Sequence, residues 1–579
     1  MAGLGAPILH RVPALDGLRA IAVTGVLLFH GGVAAVPGGF LGVDVFFVLS
    51  GYLITSLLLT ELAGSGRIDL RAFWLRRARR LLPAAFLVIA VCVVVAAVFL
   101  PDGAARTRAD ALASLVYLNN WNQIAADHSY FAAFQRPSLL QHLWSLAVEE
   151  QFYLLWPLAL GACLARIGRR GTVVVTVAGA AGSAVAMALL VHPGGDPTRV
   201  YFGTDTHASG LLLGALLAFA WPMGGFSSSP RRGAVALLDG AAVLGLAGVL
   251  VAMATFQDFE PRVYSGGLVA VTAAAAVLIA AVVHPACRVG HALGAAPLRW
   301  IGQRSYGIYL WHWPVMALSR PGLDLAWSRW VLVPLQIAVA VVLAALSYRW
   351  VEQPFRTGEA QRTLKSWMDR RPPRGRLAVV VTAVAALALA AVWVADRNSP
   401  VRPPVLLASQ RSAAAAHPVA VQPAAQAPAR PLAVGASVML AAQPRLARHL
   451  TVDAAVGRQF TDVLARLQRY RDAGRLPSSV VVQVGENGPI FGSDIQALRD
   501  VLSGVRRVVL VNVRVPRRWD GEVNDLLAQT ARSWPQARLA DWYDASAAPG
   551  LLYDDGTHPN PRGQRVYTRL VRRALGPVG

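Results

Sequence analysis

An acid, a guanidinium and an imidazole share one apolar stretch near the start of this 579-residue chain: Asp16, Arg19 and His30. Arg19 and His30 are eleven positions apart, which returns an α-helix to nearly the same face about 16 Å further along. Asp16 falls close to that face. Imidazole is the side chain suited to take a proton near neutral pH. The plainer alternative is a core histidine with an arginine at the helix end. Two more apolar stretches carry polar groups. HLWSLAVEEQFYLLWP, 142–157, sets Glu149 and Glu150 beside Trp144, Ser145 and Tyr153, and YGIYLWHWPV, 306–315, holds His312. A buried carboxylate pair is hard to explain as packing, whereas His312 fits an interfacial aromatic belt as well as a functional role. In FWLRRARRLLP, 73–83, Arg76, Arg77 and Arg80 precede an apolar run. Guanidinium forks match phosphate oxygens; the alternative is charge that keeps a loop cytoplasmic.

A second group lies far downstream. Ser437 follows a short apolar run and the small pair Gly435-Ala436, which suits a tight turn that exposes a nucleophile. Gly485-Glu486-Asn487 ends another apolar run, where the Gly485 N–H and the Asn487 amide can meet an oxyanion. Asp555 and His558 stand three apart before an amphipathic stretch, so that His558 can deprotonate Ser437 while Asp555 orients His558.

These residues must be positioned by two kinds of structure. Hydrophobic residues make up 55% of the chain and mean hydropathy is +0.45, too apolar for an ordinary soluble protein. Spans are expected near 15–33, 40–60, 83–101, 142–161, 172–192, 207–222, 234–255, 264–284, 305–320, 330–348 and 377–395, about eleven in all. The net charge of +23 comes almost wholly from arginine, since Lys365 is the sole lysine. These charges sit in short loops between apolar segments, which argues for membrane topology and against a nucleic-acid partner. The loop bias puts the N-terminus in the cytoplasm, and an odd number of spans puts the C-terminus outside. A stretch rich in Pro, Ala and Gln, 398–431, reads as a linker. Beyond it, strand patterns at 432–434, 480–484, 508–513 and 537–540 alternate with helical ones near 458–474, 492–504, 519–534 and 561–575. That alternation predicts a small α/β domain with a parallel sheet. The expected division is a membrane domain over 1–376, a final span over 377–397, the linker, and the α/β domain over 432–579. The three cysteines show no metal-ligand spacing, so no metal and no bound cofactor is expected.

DGLRAIAV…FH, GGFLGVDVFFVLSGYLIT, RRARRLLP, HLWSLAVEEQFYLLWP, YFGTDTHASGLLLGALLA, IGQRSYGIYLWHWPV and VEQPFR resemble, in order, the integral-membrane acyltransferase-3 family over about 1–356. The resemblance implies transfer of an acyl group, usually acetyl, from a cytoplasmic donor to an extracytoplasmic carbohydrate. It implies roles for Arg19 with His30, for Arg76, Arg77 and Arg80, and for Glu352. His207 departs from that pattern, where relatives often carry Arg. From 432 to 577 the order of Ser437, Gly485, Asn487, Asp555 and His558 resembles the SGNH hydrolases, in the version fused to membrane acyltransferases that O-acetylate surface polysaccharides. Here the departure is Ala436, where relatives read Asp.

The expected protein is a multi-pass plasma-membrane O-acyltransferase with an extracytoplasmic SGNH-like domain. It takes acetyl from acyl-CoA as donor substrate and delivers it through Ser437 to a cell-envelope glycan or glycolipid, with membrane lipid as a further partner. Asp16, Glu149, Glu150, His312 and Glu352 are further candidates for the membrane site. A membrane-tethered carbohydrate esterase, and a transporter of an acylated lipid or saccharide, remain as alternatives.

Overall fold

The computed structural model describes residues 12–126, 137–191, 197–223, 232–258, 260–321, 324–325, 327–359, 362, 366, 430–455, 458–515, 519–553 and 556–576. The expected linker, except its last two residues, and the span expected at 377–395 lie outside the described residues, as does Asp555. The chain forms two compact units, one helical and one α/β.

The helical unit runs α1 (Pro13–His30), α2 (Gly42–Ser65), α3 (Leu70–Phe99), α4 (Pro101–Leu115), α5 (Asn119–Ala125) and α6 (Leu143–Leu190). It continues with α7 (Thr198–Phe202), α8 (Thr204–His207), α9 (Ser209–Ala220), α10 (Arg232–Thr255), α11 (Leu268–Val282) and α12 (Arg288–Leu293), then α13 (Ala296–Leu318), α14 (Arg329–Ser347) and α15 (Gln353–Arg356). A π-helical segment, Tyr348–Glu352, joins the last two and carries Glu352.

Among the described residues, seven helices are long and apolar enough to cross a membrane: Pro13–His30, Gly39–Ser65, Leu70–Phe99, Leu143–Leu190, Arg232–Thr255, Val263–Val282 and Arg329–Arg356. The chain is a membrane protein. Where these seven differ from the expected spans, the reasons are physical. At 48 residues α6 would be about 72 Å long, over twice the hydrocarbon thickness. It is broken at Gly168, with φ 65° and ψ −177°, between the two stretches that were expected to span separately. α9 has 12 residues, too few to cross alone. α13 is long enough but is interrupted by Arg299, Gln303, Arg304 and His312.

Close backbone approach holds the unit together. α13 lies so near α1 that a Cβ placed on Gly302 would stand 1.7 Å from the Asp16 carbonyl oxygen. Small residues at such crossings are how membrane helices pack. The contact sets Gln303 and Ser305 beside Arg19, where they line the same cavity. Around α1, α2, α10 and α11 the core is formed by Leu18, Ala22, Val45, Val48, Leu49, Val249, Leu278 and Ile279.

The α/β unit has five parallel strands, β1 (Leu432–Gly435), β2 (Thr451–Ala454), β3 (Ser479–Gln483), β4 (Arg507–Val511) and β5 (Ala537–Ala540), in the order β2-β1-β3-β4-β5. Its helices are α16 (Ser437–Leu446), α17 (Phe460–Asp472), α18 (Gly492–Val501), α19 (Asp520–Ser533), α20 (Trp542–Ala545) and α21 (Pro561–Leu575). β1, β3 and β4 are almost fully buried runs of Ala, Val and Leu, as expected of a parallel sheet covered on both faces. The sequence pattern did not show β2, an edge strand whose Asp453 side chain is held by Arg458 and Tyr470. One face packs Val438, Met439, Trp542, Tyr567 and Val571 against the strands.

Replacing Gly302 with Ala forces the α1–α13 crossing apart against backbone rather than a yielding side chain. Full-length Gly302→Ala is expected to lose about 1–3 kcal/mol, read as a lower unfolding temperature in detergent.

Candidate functional site

α1, α3, α6, α13 and α15 converge on one cavity. Arg19, Arg77, Arg80, Arg356, Glu149, Glu150 and Glu352 line it, with Ser50, Ser145, Tyr153, Tyr306 and Tyr309. An adjoining lobe of about 290 Å³ adds Asp16 and again reaches Arg19, Arg77, Arg80 and Arg356. Four guanidiniums face three carboxylates in the first chamber, an environment suited to a multiply anionic ligand. Glu149 Oε1 accepts from Ser50 and from Tyr153, and the two hydroxyls are 2.8 Å apart. Arg77 lies over the Tyr153 ring, 5.0 Å from its centroid. Arg19 stands 3.6 Å from the Asp16 carboxylate.

Arg76 is not part of this group. The helix turns it to the outside, where it donates to Glu61 at 3.3 Å. Of the three arginines read together in the sequence, Arg77 and Arg80 face the cavity.

A histidine cluster stands one layer on. His312 is fully buried, and its Nε2 is 3.1 Å from His30 Nδ1. His142 packs against His312 with ring centroids 5.6 Å apart. Tyr309 bridges cavity and cluster, since it lines the cavity and its hydroxyl donates to the His142 carbonyl at 2.9 Å. The 2.5 Å contact of that hydroxyl with Ser145 Oγ completes the link. Thus His30 and His312, from sequence segments almost 300 residues apart, are hydrogen-bonded neighbours, while neither lines the arginine cavity. Single-residue reading missed His142, Ser145 and Tyr153 as partners. With Glu149 they occupy positions i, i+3, i+7 and i+11, one face of a helix, and that stripe was the available signal.

In the α/β unit the chemistry gathers at the carboxyl ends of the strands, where open α/β sheets place their sites. Ser437 is the first residue of α16, directly after β1 and Ala436. His558 Nε2 lies 2.8 Å from Ser437 Oγ. Gly485 follows β3 with φ 101°, and a Cβ there would stand 2.5 Å from a Val523 methyl; only glycine meets both demands. Trp519 Nε1 donates to the Gly485 carbonyl at 3.0 Å and fixes that turn. Asn487 Nδ2 donates to the Arg458 carbonyl at 2.7 Å, which leaves the other amide hydrogen to meet an oxyanion.

Between these two lies a residue that was given no role. Glu486 is buried, and its Oε2 accepts from the Val438 N–H. Burial pushes its carboxyl from the ordinary 4.5 up to about 8, while the backbone N–H groups of Val438 and Ser437 pull it partly back. Tyr567 is held well above the usual phenol range by burial and, next, by the nearness of Glu486.

The acyltransferase-domain family model matches residues 12–349, more than half of the chain. The chain belongs to this acyltransferase family. Peptidoglycan O-acetyltransferase OatA of Listeria monocytogenes is 35% identical to this acyltransferase over 97% of the chain and 98% of its own length. O-acetyltransferase OatA of Staphylococcus aureus is 32% identical over 97% and 96%. The solved C-terminal catalytic domain of Streptococcus pneumoniae peptidoglycan O-acetyltransferase A covers 25% of this chain and 92% of that one, with 18% identity and a TM-score of 0.24.

The raised Glu486 pKa has a sign that can be tested. The folded acyltransferase keeps a proton that the unfolded chain releases, so stability from this group is full below about pH 4.5 and falls as pH rises towards 8. Glu486→Gln removes the titration. The variant should match wild type at pH 5 and exceed it at pH 9, by a few kcal/mol at most, in thermal unfolding of the full chain.

Proposed function

We propose that this acyltransferase carries an acetyl group from a cytoplasmic acyl-CoA across the membrane and places it on hydroxyls of peptidoglycan outside. The observation that carries the reading is the Ser437–His558 hydrogen bond at 2.8 Å, in a chain whose membrane half holds an arginine-lined cavity. The near full-length likeness to peptidoglycan O-acetyltransferases supports the acceptor. The proposal includes eleven spans, a cytoplasmic N-terminus, an extracytoplasmic α/β unit, and the domain boundaries drawn from the sequence.

Arg77, Arg80 and Arg19 face the anionic head of the donor and hold its phosphates by forked, charge-assisted bonds. Arg76, outside the cavity and paired with Glu61, contributes only to the local potential. Glu149, Glu150, Asp16 and Glu352 hold the guanidiniums in register. His30, His312 and His142 form the proton-handling layer, where a hydroxyl-bearing carrier gives its proton to His30, attacks the thioester and takes the acyl group as an ester, while the coenzyme A thiol leaves with that proton. At the α/β unit, Ser437 Oγ attacks the acyl carbonyl while its proton passes to His558 Nε2. The Gly485 N–H and the Asn487 amide meet the oxyanion. The intermediate collapses with release of the carrier group, which takes the proton from His558, and leaves an acetyl ester on Ser437. A glycan hydroxyl then gives its proton to His558 and attacks that ester. Ser437 leaves with the proton returned, so the enzyme is regenerated. Asp555 is assigned the orientation of His558.

Complementation of a strain without its own O-acetyltransferase tests the reading. Wild type should restore acetyl esters on muropeptides, read by mass spectrometry, whereas Ser437→Ala and His30→Ala should stay at background at matched protein level. Restored acetylation by Ser437→Ala would refute the serine route.

The donor site is tested separately in detergent. Arg77→Ala with Arg80→Ala removes two charge-assisted contacts worth about 1.5–3 kcal/mol each. Acetyl-CoA affinity should fall at least a hundredfold, whereas Arg76→Ala should bind nearly as wild type.

A further inference from the structure

The helix that presents Ser437 begins without a cap of its own. Ala436 is the N-cap of α16, at φ −106° and ψ −149°, and no side chain caps from that position. The first N–H groups of a helix have no partner within it. Ser, Thr, Asp or Asn at the N-cap ordinarily accepts from them; a methyl group cannot.

Here an acceptor arrives from a different strand. Glu486, in the turn after β3, sets Oε2 3.4 Å from the Val438 nitrogen, the second residue of α16. Its side chain is 1% exposed, and its Oε1 has no hydrogen-bond partner among the described residues. A carboxyl is costly to bury unless it answers a donor. The donors it answers are the backbone N–H groups that open the nucleophile helix. Burial keeps Glu486 mostly protonated near neutral pH, so it accepts as a neutral group and puts no charge beside Ser437.

Glu486 is also placed to couple the two halves of the site. It stands between Gly485 and Asn487 in sequence, and it touches the turn that carries Ser437. One side chain thereby ties the oxyanion loop to the nucleophile loop.

We propose that Glu486 is the positioning residue of the nucleophile turn, capping α16 from the β3 loop in place of the side chain that Ala436 lacks and so fixing Ser437 Oγ against His558. This rests on the reading of Ser437 as the nucleophile. Glu486 touches no reacting atom. It acts through the backbone of Ser437 and Val438.

The test uses the full-length chain purified in detergent, with hydrolysis of p-nitrophenyl acetate as the assay. Glu486→Leu should lower kcat about ten- to a hundredfold with KM within about twofold, as for a misplaced rather than missing group. Glu486→Gln, a neutral acceptor of the same length, should stay within about threefold of wild type. The deciding variant restores a cap in its ordinary place. Adding Ala436→Asp to Glu486→Leu should raise kcat at least about tenfold over Glu486→Leu alone. In wild type, Ala436→Asp adds a second acceptor to a donor already engaged, and turnover should not rise. Wild-type kcat for Glu486→Leu, or no recovery in the double variant, overturns the proposal. Should Glu486→Leu not fold, a folded and active double variant supports it and an unfolded one overturns it. Ser437→Ala, run alongside, reports on the nucleophile itself. If that variant keeps wild-type turnover, Ser437 is not the acyl acceptor and the positioning proposal falls with it.

Discussion

Charge buried among apolar helices has to be answered from within the protein, because hydrocarbon supplies neither water nor counter-charge. That constraint shapes the helical unit. Arg19, Arg77, Arg80 and Arg356 come from three different helices, and so must meet the carboxylates of Glu149, Glu150 and Glu352 in one chamber. The crossing at Gly302 brings α13 down onto α1, and the π-helical turn delivers Glu352 to the same place. Ser50 and Tyr153 then both donate to one Glu149 oxygen. The bundle is organised as much by this polar chamber as by the apolar packing around it.

The α/β unit meets the opposite requirement, since its polar groups gather at a sheet end rather than in a core. Parallel strands point their carboxyl ends one way, so that the turns after β1 and β3 lie side by side. This alone brings Ser437 next to the Gly485–Asn487 loop. His558 arrives from the segment before α21, and Tyr567 on that helix packs at 5.1 Å against Trp542, which fixes the helix that His558 precedes. Three separate pieces of chain thus share one small volume without any of them being long.

Much of this was legible in the sequence because the signals were periodic or chemically improbable. Arg and Glu in apolar runs pointed to the polar chamber, and four of the five strands showed as short apolar runs between helical patterns. Other features left weaker traces. β2 reads Thr-Val-Asp-Ala and is too short and polar to register. α16 has an alanine at its N-cap and contains Pro444, so neither end carries an ordinary helix signal. Arg76 and Arg77 are adjacent in sequence, and only helix rotation, 100° per residue, decides that one faces the cavity and the other Glu61. His142 stood inside a stretch that had been singled out, yet its role depends on His312, which only the fold brings near. Glu486 could not be read from the sequence, since its partner is a backbone N–H group made orphan by the residue at 436.

β2 lies at one edge of the sheet, paired on one side with β1. An open strand edge invites another strand to add to it. Asp453, in the middle of β2, is held by Arg458 on both its carboxylate and its carbonyl oxygen. Arg466 stands 3.9 Å away on the other carboxylate oxygen. The charges around Asp453 would have to be stripped of water for another strand to pair there. Among the described residues, the edge is guarded by charge. The Arg458 backbone oxygen receives the Asn487 amide, so the residue that holds Asp453 at the sheet edge also holds the loop beside Ser437.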